Sequence, residues 1–296
     1  MKIRRLMRSV ISCFCVSLLV LAPSASADMR GVDVSNWQCN IDTGKINADF
    51  VVAGVTWGVG GFNNTCLRNG VSQVADYQLV RATATGKSIG VYHYAMGNDA
   101  RREADFFVDR VTRYVGRAVL ALDWEYDDNP QFGNGAWVDR WVRRVHERTR
   151  VWPIVYIPAS GLWQLSPYVR RHCGVWVAQY ASNAVTGWQS RPWRYGVYGE
   201  AMRQYTGNGR VAGYGGAIDL DYFRGARWQW NAYAIGERKR PHKRPNKHNV
   251  SAPVRTHTVR AGECLWSIFG SKWPRVAKIN KISRPYLIYP GQVLRY

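Results

Sequence analysis

Short apolar runs recur along the first 230 or so residues, and the segments between them carry apolar positions at helical spacing. The runs predict strands over 31–35, 51–57, 89–94, 118–125, 153–157, 174–180, 201–206 and 216–222. The intervening pattern predicts helices over 71–86, 98–115 and 136–149. In the second of these, Ala104, Phe107, Val108, Val111 and Val115 form the i, i+3, i+4 stripe of a helix facing a core. In the third, Val138, Trp141, Val142 and Val145 do the same, with Asn98 and Asn134 placed as N-terminal caps or turn residues. Strands alternating with helices imply parallel pairing. Eight strands over about 200 residues predict a closed barrel whose later helices are short or missing. The competitor is an open doubly wound sheet, which would show a glycine-rich turn after its first strand. Here that strand runs into Asp33-Val34-Ser35-Asn36-Trp37 instead. The expected class is α/β: an irregular (β/α) TIM-like barrel with reduced helices.

The pattern changes at both ends of the chain. Lys2, Arg4, Arg5 and Arg8 precede an apolar stretch, Ile11 to Leu21, and then Ser24-Ala25-Ser26-Ala27. That order is a secretory signal over 1–27, cleaved after Ala27. The apolar stretch is shorter than the roughly 20 residues a membrane span needs, so no anchor is expected after cleavage. Residues 28–235 form the expected barrel domain. Residues 236–255 lose apolar periodicity and are dominated by Lys, Arg, His and Pro, which reads as an extended linker. Its charge leaves two readings, a solvated spacer or a hold on anionic wall polymer. Residues 256–296 regain pattern as strand, two short helices and strand, a βααβ module near the lower size limit for independent folding.

Composition narrows the setting. Without the signal, 37 basic residues face 20 acidic ones, a net charge of about +17. For an exported chain that favours cell-wall polyanions or membrane surfaces over nucleic acid. Four cysteines remain: Cys39, Cys66, Cys173 and Cys264. Export permits disulfides, and Cys39 with Cys66, in two polar segments near the start, is the preferred pair. No Cys-x-x-Cys or His-x-x-x-His spacing points to a metal, and no cofactor is expected.

The chemistry gathers at strand ends. Ala118 to Leu122 leads into Asp123-Trp124-Glu125. On a strand, residues i and i+2 share a face, so Asp123 and Glu125 lie together. Two such carboxyls cannot both ionise freely, and their pKa values are pushed apart. Glycoside hydrolysis needs that division, one proton donor and one charged partner. In a parallel barrel, catalytic residues sit at the C-terminal strand ends. Asp33 ends the first strand and Asp219 lies on the last, so barrel closure brings both beside the pair. Fourteen Trp and 17 Tyr accompany them, including Trp57, Tyr92, Tyr94, Trp124, Tyr156, Trp176, Tyr180 and Tyr205 near strand ends. Aromatic rings with polar tips suit sugar faces. Core packing is the better reading for Trp176. His93, between Tyr92 and Tyr94, points to the opposite face and is read as structural.

Six segments occur in a telling order: Gly31-Val32-Asp33-Val34-Ser35, Gly90-Val91-Tyr92-His93-Tyr94, Asp123-Trp124-Glu125, Trp176-Val177-Ala178-Gln179-Tyr180, Gln204-Tyr205-Thr206 and Ile218-Asp219-Leu220-Asp221. Together, over about residues 30–230, they resemble the lysozymes of glycoside hydrolase family 25. The resemblance implies cleavage of the β-1,4 bond between N-acetylmuramic acid and N-acetylglucosamine in peptidoglycan, with net retention. It implies Glu125 as general acid/base, Asp123 as its partner carboxylate, and Asp33 and Asp219 as the other site acids. Tyr92, Tyr94, Trp124, Tyr156 and Gln204 are then the expected substrate-binding residues. Asp221 stands where many members have Asn. Asp123 is expected to stay ionised and to act either as nucleophile or as support for an oxazolinium made by the substrate's 2-acetamido group.

The C-terminal pattern Val259-x-x-Gly262-Glu263-x-Leu265-Trp266-Ser267-Ile268, then Asn280, then Ile288-Tyr289-Pro290-Gly291-Gln292-x-Leu294 resembles a LysM domain. It implies binding of N-acetylglucosamine-containing glycans. Cys264 departs from the usual Thr, which leaves a disulfide to Cys173 or a free thiol open. The expected protein is a secreted, wall-associated, monomeric muramidase whose partner is the glycan strand. The alternatives are a non-catalytic wall-binding protein and a secreted chitin glycosidase.

Overall fold

The computed structural model describes residues 28–190, 192, 198–236, 255–260, 263–283, 286–289 and 291–296. The expected export signal, 1–27, and residues 237–254 of the expected linker lie outside them. Strand β1 (Met29–Val34) pairs parallel with β2 (Phe50–Trp57), from which a small hairpin, β3 (Leu67–Arg68) and β4 (Val71–Ser72), extends. Then α1 (Ala75–Ala84), β5 (Ser88–Tyr94), α2 (Ala100–Val111), β6 (Val119–Asp123), α3 (Gly135–Thr149) and β7 (Ile154–Pro158) alternate. The alternation thins after β7. Only α4 (Pro167–His172) precedes β8 (Gly174–Ala178), and β9 (Met202–Val211) and β10 (Tyr214–Phe223) form a hairpin before α5 (Arg227–Ala234). The barrel order is β1-β2-β5-β6-β7-β8-β9-β10, closed by β10 on β1. The closed barrel with reduced helices is thus the architecture, and the open sheet is excluded.

One expectation fails at the closure. Parallel pairing holds from β1 through β9, but β10 runs antiparallel to both neighbours. Residues 212–213 alone connect β9 to β10, and so short a link permits only an antiparallel pair. Gly213 makes the turn at φ 98°, a conformation that disfavours a side chain. Asp219 therefore lies mid-strand rather than at a C-terminal strand end. Other boundaries shift by a few residues. The segment 71–86 begins as strand and turns helical only at Ala75. The cap of α2 is Asp99, not Asn98; its carboxylate accepts from the Arg101 and Arg102 amides at 3.1 and 3.0 Å.

Alternation along the strands divides the apolar side chains into two cores. Inside the barrel lie Phe50, Val52, Tyr92, Val119, Ile154, Trp176 and Met202, with Trp230 and Tyr233 of α5 closing the end where the strands begin. Between barrel and helices lie Val51, Val91, Leu120 and Val155 against Phe107, Val111, Trp141 and Val145. The expected α2 and α3 stripes face this outer core. Cys39 and Cys66 form the expected disulfide, Cα atoms 6.0 Å apart, while Cys173 and Cys264 are both free thiols.

The C-terminal residues form the expected βααβ arrangement, β11 (Thr256–Thr258), α6 (Leu265–Phe269), α7 (Trp273–Ile279) and β12 (Val293–Arg295). Val259, Leu265, Val276, Ala277 and Leu294 are its core. Asn280 explains its place in the pattern: its side chain exchanges two 2.7 Å bonds with the Arg295 backbone, tying α7 to β12. The Cys264 thiol takes over the cap of α6, accepting from the Ser267 amide at 3.4 Å.

His93 faces the outer core, as its position between inward tyrosines requires. Its Nδ1 meets the Thr56 hydroxyl and its Nε2 meets Glu103 Oε2, both at 2.8 Å. Glu103, fully buried on α2, also accepts from the Met96 and Asn98 amides at 3.2 and 2.6 Å. It thereby fixes the loop leaving β5. Glu103→Ala strands the imidazole and two amides, and should cost about 3–5 kcal/mol in urea unfolding, as for a broken buried pair. A loss below about 1 kcal/mol, the scale of a surface pair, would contradict this role.

Candidate active site

Register brings the inward residues of successive strands into one row. Trp57 pairs with Tyr94, Tyr94 with Asp123, Asp123 with Tyr156, and Tyr156 with Trp176. Glu125 stands two residues past Asp123, in the loop just beyond β6 rather than on the strand. That loop is held from three sides. The Trp124 amide donates to the Tyr156 carbonyl at 3.0 Å, Asn129 Nδ2 to the Glu125 carbonyl at 3.1 Å, and the Tyr94 hydroxyl to the Asp127 carbonyl at 2.6 Å.

Closure supplies the opposing acids. Asp33 is in register with Asp219, so Asp221, two residues on and on the same face, lies diagonal to Asp33. Gln204 of β9 organises this side. Its Nε2 donates to Asp33 Oδ2 at 2.8 Å, and its Oε1 accepts from the Tyr156 hydroxyl at 2.8 Å and from the Tyr180 hydroxyl. Trp176 Nε1 donates to Asp221 Oδ1 at 2.8 Å. Asp33, Asp123, Glu125, Asp219 and Asp221 thus gather at the mouth of one barrel.

Burial is the largest force on every one of these carboxyls, and it favours the neutral form. Glu125 is pushed up to about 7 by burial, then by the charges of Asp127 and Asp33. Asp33 rises to about 6, restrained by hydrogen bonds from Asp221 and Gln204. Asp123 rises well above the carboxylate range through burial and the charges of Glu125, Asp33 and Asp219. Asp219 and Asp221 rise likewise. The expectation of an ionised Asp123 beside a protonated Glu125 is therefore too simple. The charges that act most strongly on these carboxyls are those of other carboxylates, so all five compete to shed charge.

The expected binding residues divide. Tyr94 keeps exposed surface beside the acids, while Tyr92 and Tyr156, 6% and 8% exposed, pack beneath them. Gln204 does not present its amide to a ligand, because both ends are engaged internally and it is 5% exposed. Trp124 is excluded from the groove. It points outward, as the residue between two inward ones must, and is fully buried with Nε1 on Gln164 Oε1 at 2.7 Å and its ring stacked on Trp137. The missed aromatics are exposed ones that follow strands at this end, Trp37 after β1, Tyr126 after β6 and Trp163 after β7, and they join Tyr180 after β8, which was among the expected strand-end rings. The three missed rings stood outside the recognised motifs, while Tyr180 closed one of them. No group of His, Cys, Asp and Glu among the described residues is arranged to hold a metal ion. A cleft of about 520 Å³ lined by Lys87, Arg113, Arg117 and Arg227 lies where β5 begins, at the far end of the barrel, and brings no carboxyl pair together.

Comparison with known proteins follows this geometry. The fold resembles that of the lysozyme from Streptomyces coelicolor, at 21% identity and TM-score 0.55, covering 71% of this chain and 98% of that one. It also resembles the muramidase from Acremonium alcalophilum, at 23% identity and TM-score 0.52 over 70% and 98% of the two chains. A family GH25 lysozyme from Aspergillus fumigatus matches at 21% identity and TM-score 0.53, over 71% and 100%. A search among curated proteins found no match. Residues 257–295 match the LysM domain. Residues 32–214, more than half of the sequence, match the glycosyl hydrolases family 25, and the chain belongs to that family of glycoside hydrolases.

Proposed function

We propose that this glycoside hydrolase cleaves the β-1,4 bond between N-acetylmuramic acid and N-acetylglucosamine in peptidoglycan, with net retention. The observation that carries the reading is the pairing of Glu125, held near pH 7, with Asp123 at the mouth of a carboxyl-lined barrel. The lysozyme and muramidase folds it resembles support the substrate class. Residues 1–27 then direct export, 28–235 carry the chemistry, 236–255 act as a spacer that favours anionic wall polymer, and 256–296 hold the glycan. The protein works as a monomer on the wall outside the cell.

Glu125, protonated in its buried position, gives its proton to the glycosidic oxygen. Positive charge then develops at the anomeric carbon. A cation there favours charge on the nearest carboxyl, so Asp123 becomes the ionised member as the bond breaks, its proton passing to a neighbouring carboxylate of the cluster. Asp123 supports the 2-acetamido group as that group closes on the anomeric carbon, and a direct Asp123 attack is the alternative route. Both routes invert twice. Asp33 and Asp219 add negative potential on the opposite side. The exposed rings of Trp37, Tyr126, Trp163 and Tyr180 offer stacking surfaces for successive sugars. A non-catalytic wall-binding role would leave this conjunction of raised, uncompensated carboxyls without a purpose.

Digestion of purified walls should give new reducing ends that carry N-acetylmuramic acid by mass spectrometry and appear first as the β-anomer by NMR. N-acetylglucosamine at those ends would overturn the bond assignment, an initial α-anomer the retaining route, and no release at all the enzymatic reading. Glu125→Gln should lower turnover by about 10²–10⁴-fold with a melting temperature no lower than wild type, since Gln carries no charge that folding must withhold. Because the protonated form is the donor, wild-type turnover should fall as pH rises through about 7. Near-normal Glu125→Gln activity would remove the acid assignment. Deleting 256–296 should abolish retention on insoluble walls while sparing activity on short soluble muropeptides, since the module only raises local concentration. Unchanged wall retention would contradict the anchoring role.

A further inference from the structure

Asp221 is fully buried, yet only one of its carboxyl oxygens has a donor. Trp176 Nε1 supplies Oδ1 at 2.8 Å, and among the described residues no N–H or hydroxyl reaches Oδ2. The Asp33 carboxyl lies diagonally across the β1–β10 closure from it, on the same face, and the two carboxyls are close enough for each to act on the other. Two carboxylates offer only acceptors, so a hydrogen bond between them requires a proton on one of them. The surroundings decide which. Asp33 also accepts from Gln204 Nε2 at 2.8 Å and from its own backbone amide, donors that favour charge. Asp221 has the indole alone.

We infer that Asp221 is a carboxylic acid in the working protein and that its O–H donates to Asp33, fixing the Asp33 carboxylate at the groove. Asp221 is thus a positioning residue, four strands around the barrel from β6 and Glu125 and acting through Asp33; the inference rests on the glycosidase reading of the site. The groups that face Asp221 agree with it. Asp33 on β1 and Asp219 on its own strand add negative potential, Tyr180 beyond β8 and Tyr205 on β9 are neutral phenols, and burial acts in the same direction. An asparagine at 221 would reproduce the arrangement, with Oδ1 accepting from Trp176 and Nδ2 donating to Asp33.

The test compares Asp221→Asn, Asp221→Ala and Asp33→Asn in the full chain. Asp221→Asn should keep kcat within about threefold of wild type, whereas Asp221→Ala should lose about a hundredfold in kcat with little change in KM, the cost of a misplaced group. Asp33→Asn should be as damaging as Asp221→Ala. Tolerance of Asp33→Asn with loss in Asp221→Asn would place the proton on Asp33 and overturn the assignment.

A second measurement needs no activity. At low pH both the folded and unfolded chains hold the Asp221 proton. As pH rises past about 4, the unfolded chain releases it and the folded chain keeps it, so folding weakens with pH. Asparagine has no proton to release. The folding constant of Asp221→Asn relative to wild type should therefore grow about tenfold per pH unit between pH 4.5 and 7. A ratio independent of pH would show that the pair carries no extra proton and overturn the inference. If wild type degrades no wall but the ratio still climbs, the shared proton stands and the glycosidase reading fails instead.

Discussion

The antiparallel closure of the barrel is the constraint on which the site depends. Had β10 run parallel, Asp219 and Asp221 would have needed a different level on the strand to meet Asp33. The two-residue link from β9 reverses the chain, and the β1–β10 register then sets Asp33 against Asp219 and diagonal to Asp221. The same closure seats Gln204 beside Asp33, where its amide spans from a carboxylate to two tyrosine hydroxyls. Four of the five acids, Asp33, Asp123, Asp219 and Asp221, are placed by backbone pairing, and Glu125 by the loop just past β6.

Such crowding works against folding, because charge must be withheld from groups that ionise freely in the unfolded chain. The opposing forces lie elsewhere in the molecule. Two apolar cores flank the strands, and aromatic side chains of α5 seal the end away from the acids. The buried His93–Glu103 contact joins the outer core to the loop after β5, close to Tyr94. The groove thus draws its strained electrostatics from a scaffold whose stability is generated at a distance from it, a common division at functional sites.

Much of this was legible in the residues. Alternating apolar runs marked the eight barrel strands, and Asp123-Trp124-Glu125 marked the acids at the end of one of them, although the strand stops at Asp123 and Glu125 lies just past it. The same rule, applied to the residue between them, also places Trp124 on the opposite face; its expected role in binding ignored that. The direction of β10 was hidden because an apolar run carries no sign of its polarity in the sheet, and only the shortness of the link reveals it. The internal use of Gln204 could not be read, since an amide that binds sugar and one that braces a carboxylate look alike in sequence. The proton on Asp221 was hidden for a related reason: it follows from burial and a missing donor, both properties of the folded chain.

The disulfide has a mechanical consequence. Cys39 lies in the segment that leaves β1 just after Asp33, and Cys66 in the segment that leaves β2. Closing that 27-residue interval withholds about 3–4 kcal/mol of freedom from the unfolded chain. It also makes one jaw of the groove rigid. The opposite jaw, which carries Glu125 and Tyr126, is held by hydrogen bonds and ring packing, with no covalent cross-link among the described residues. Any yielding to a bound chain therefore falls on the side that carries Glu125, while the Asp33 side serves as the anvil.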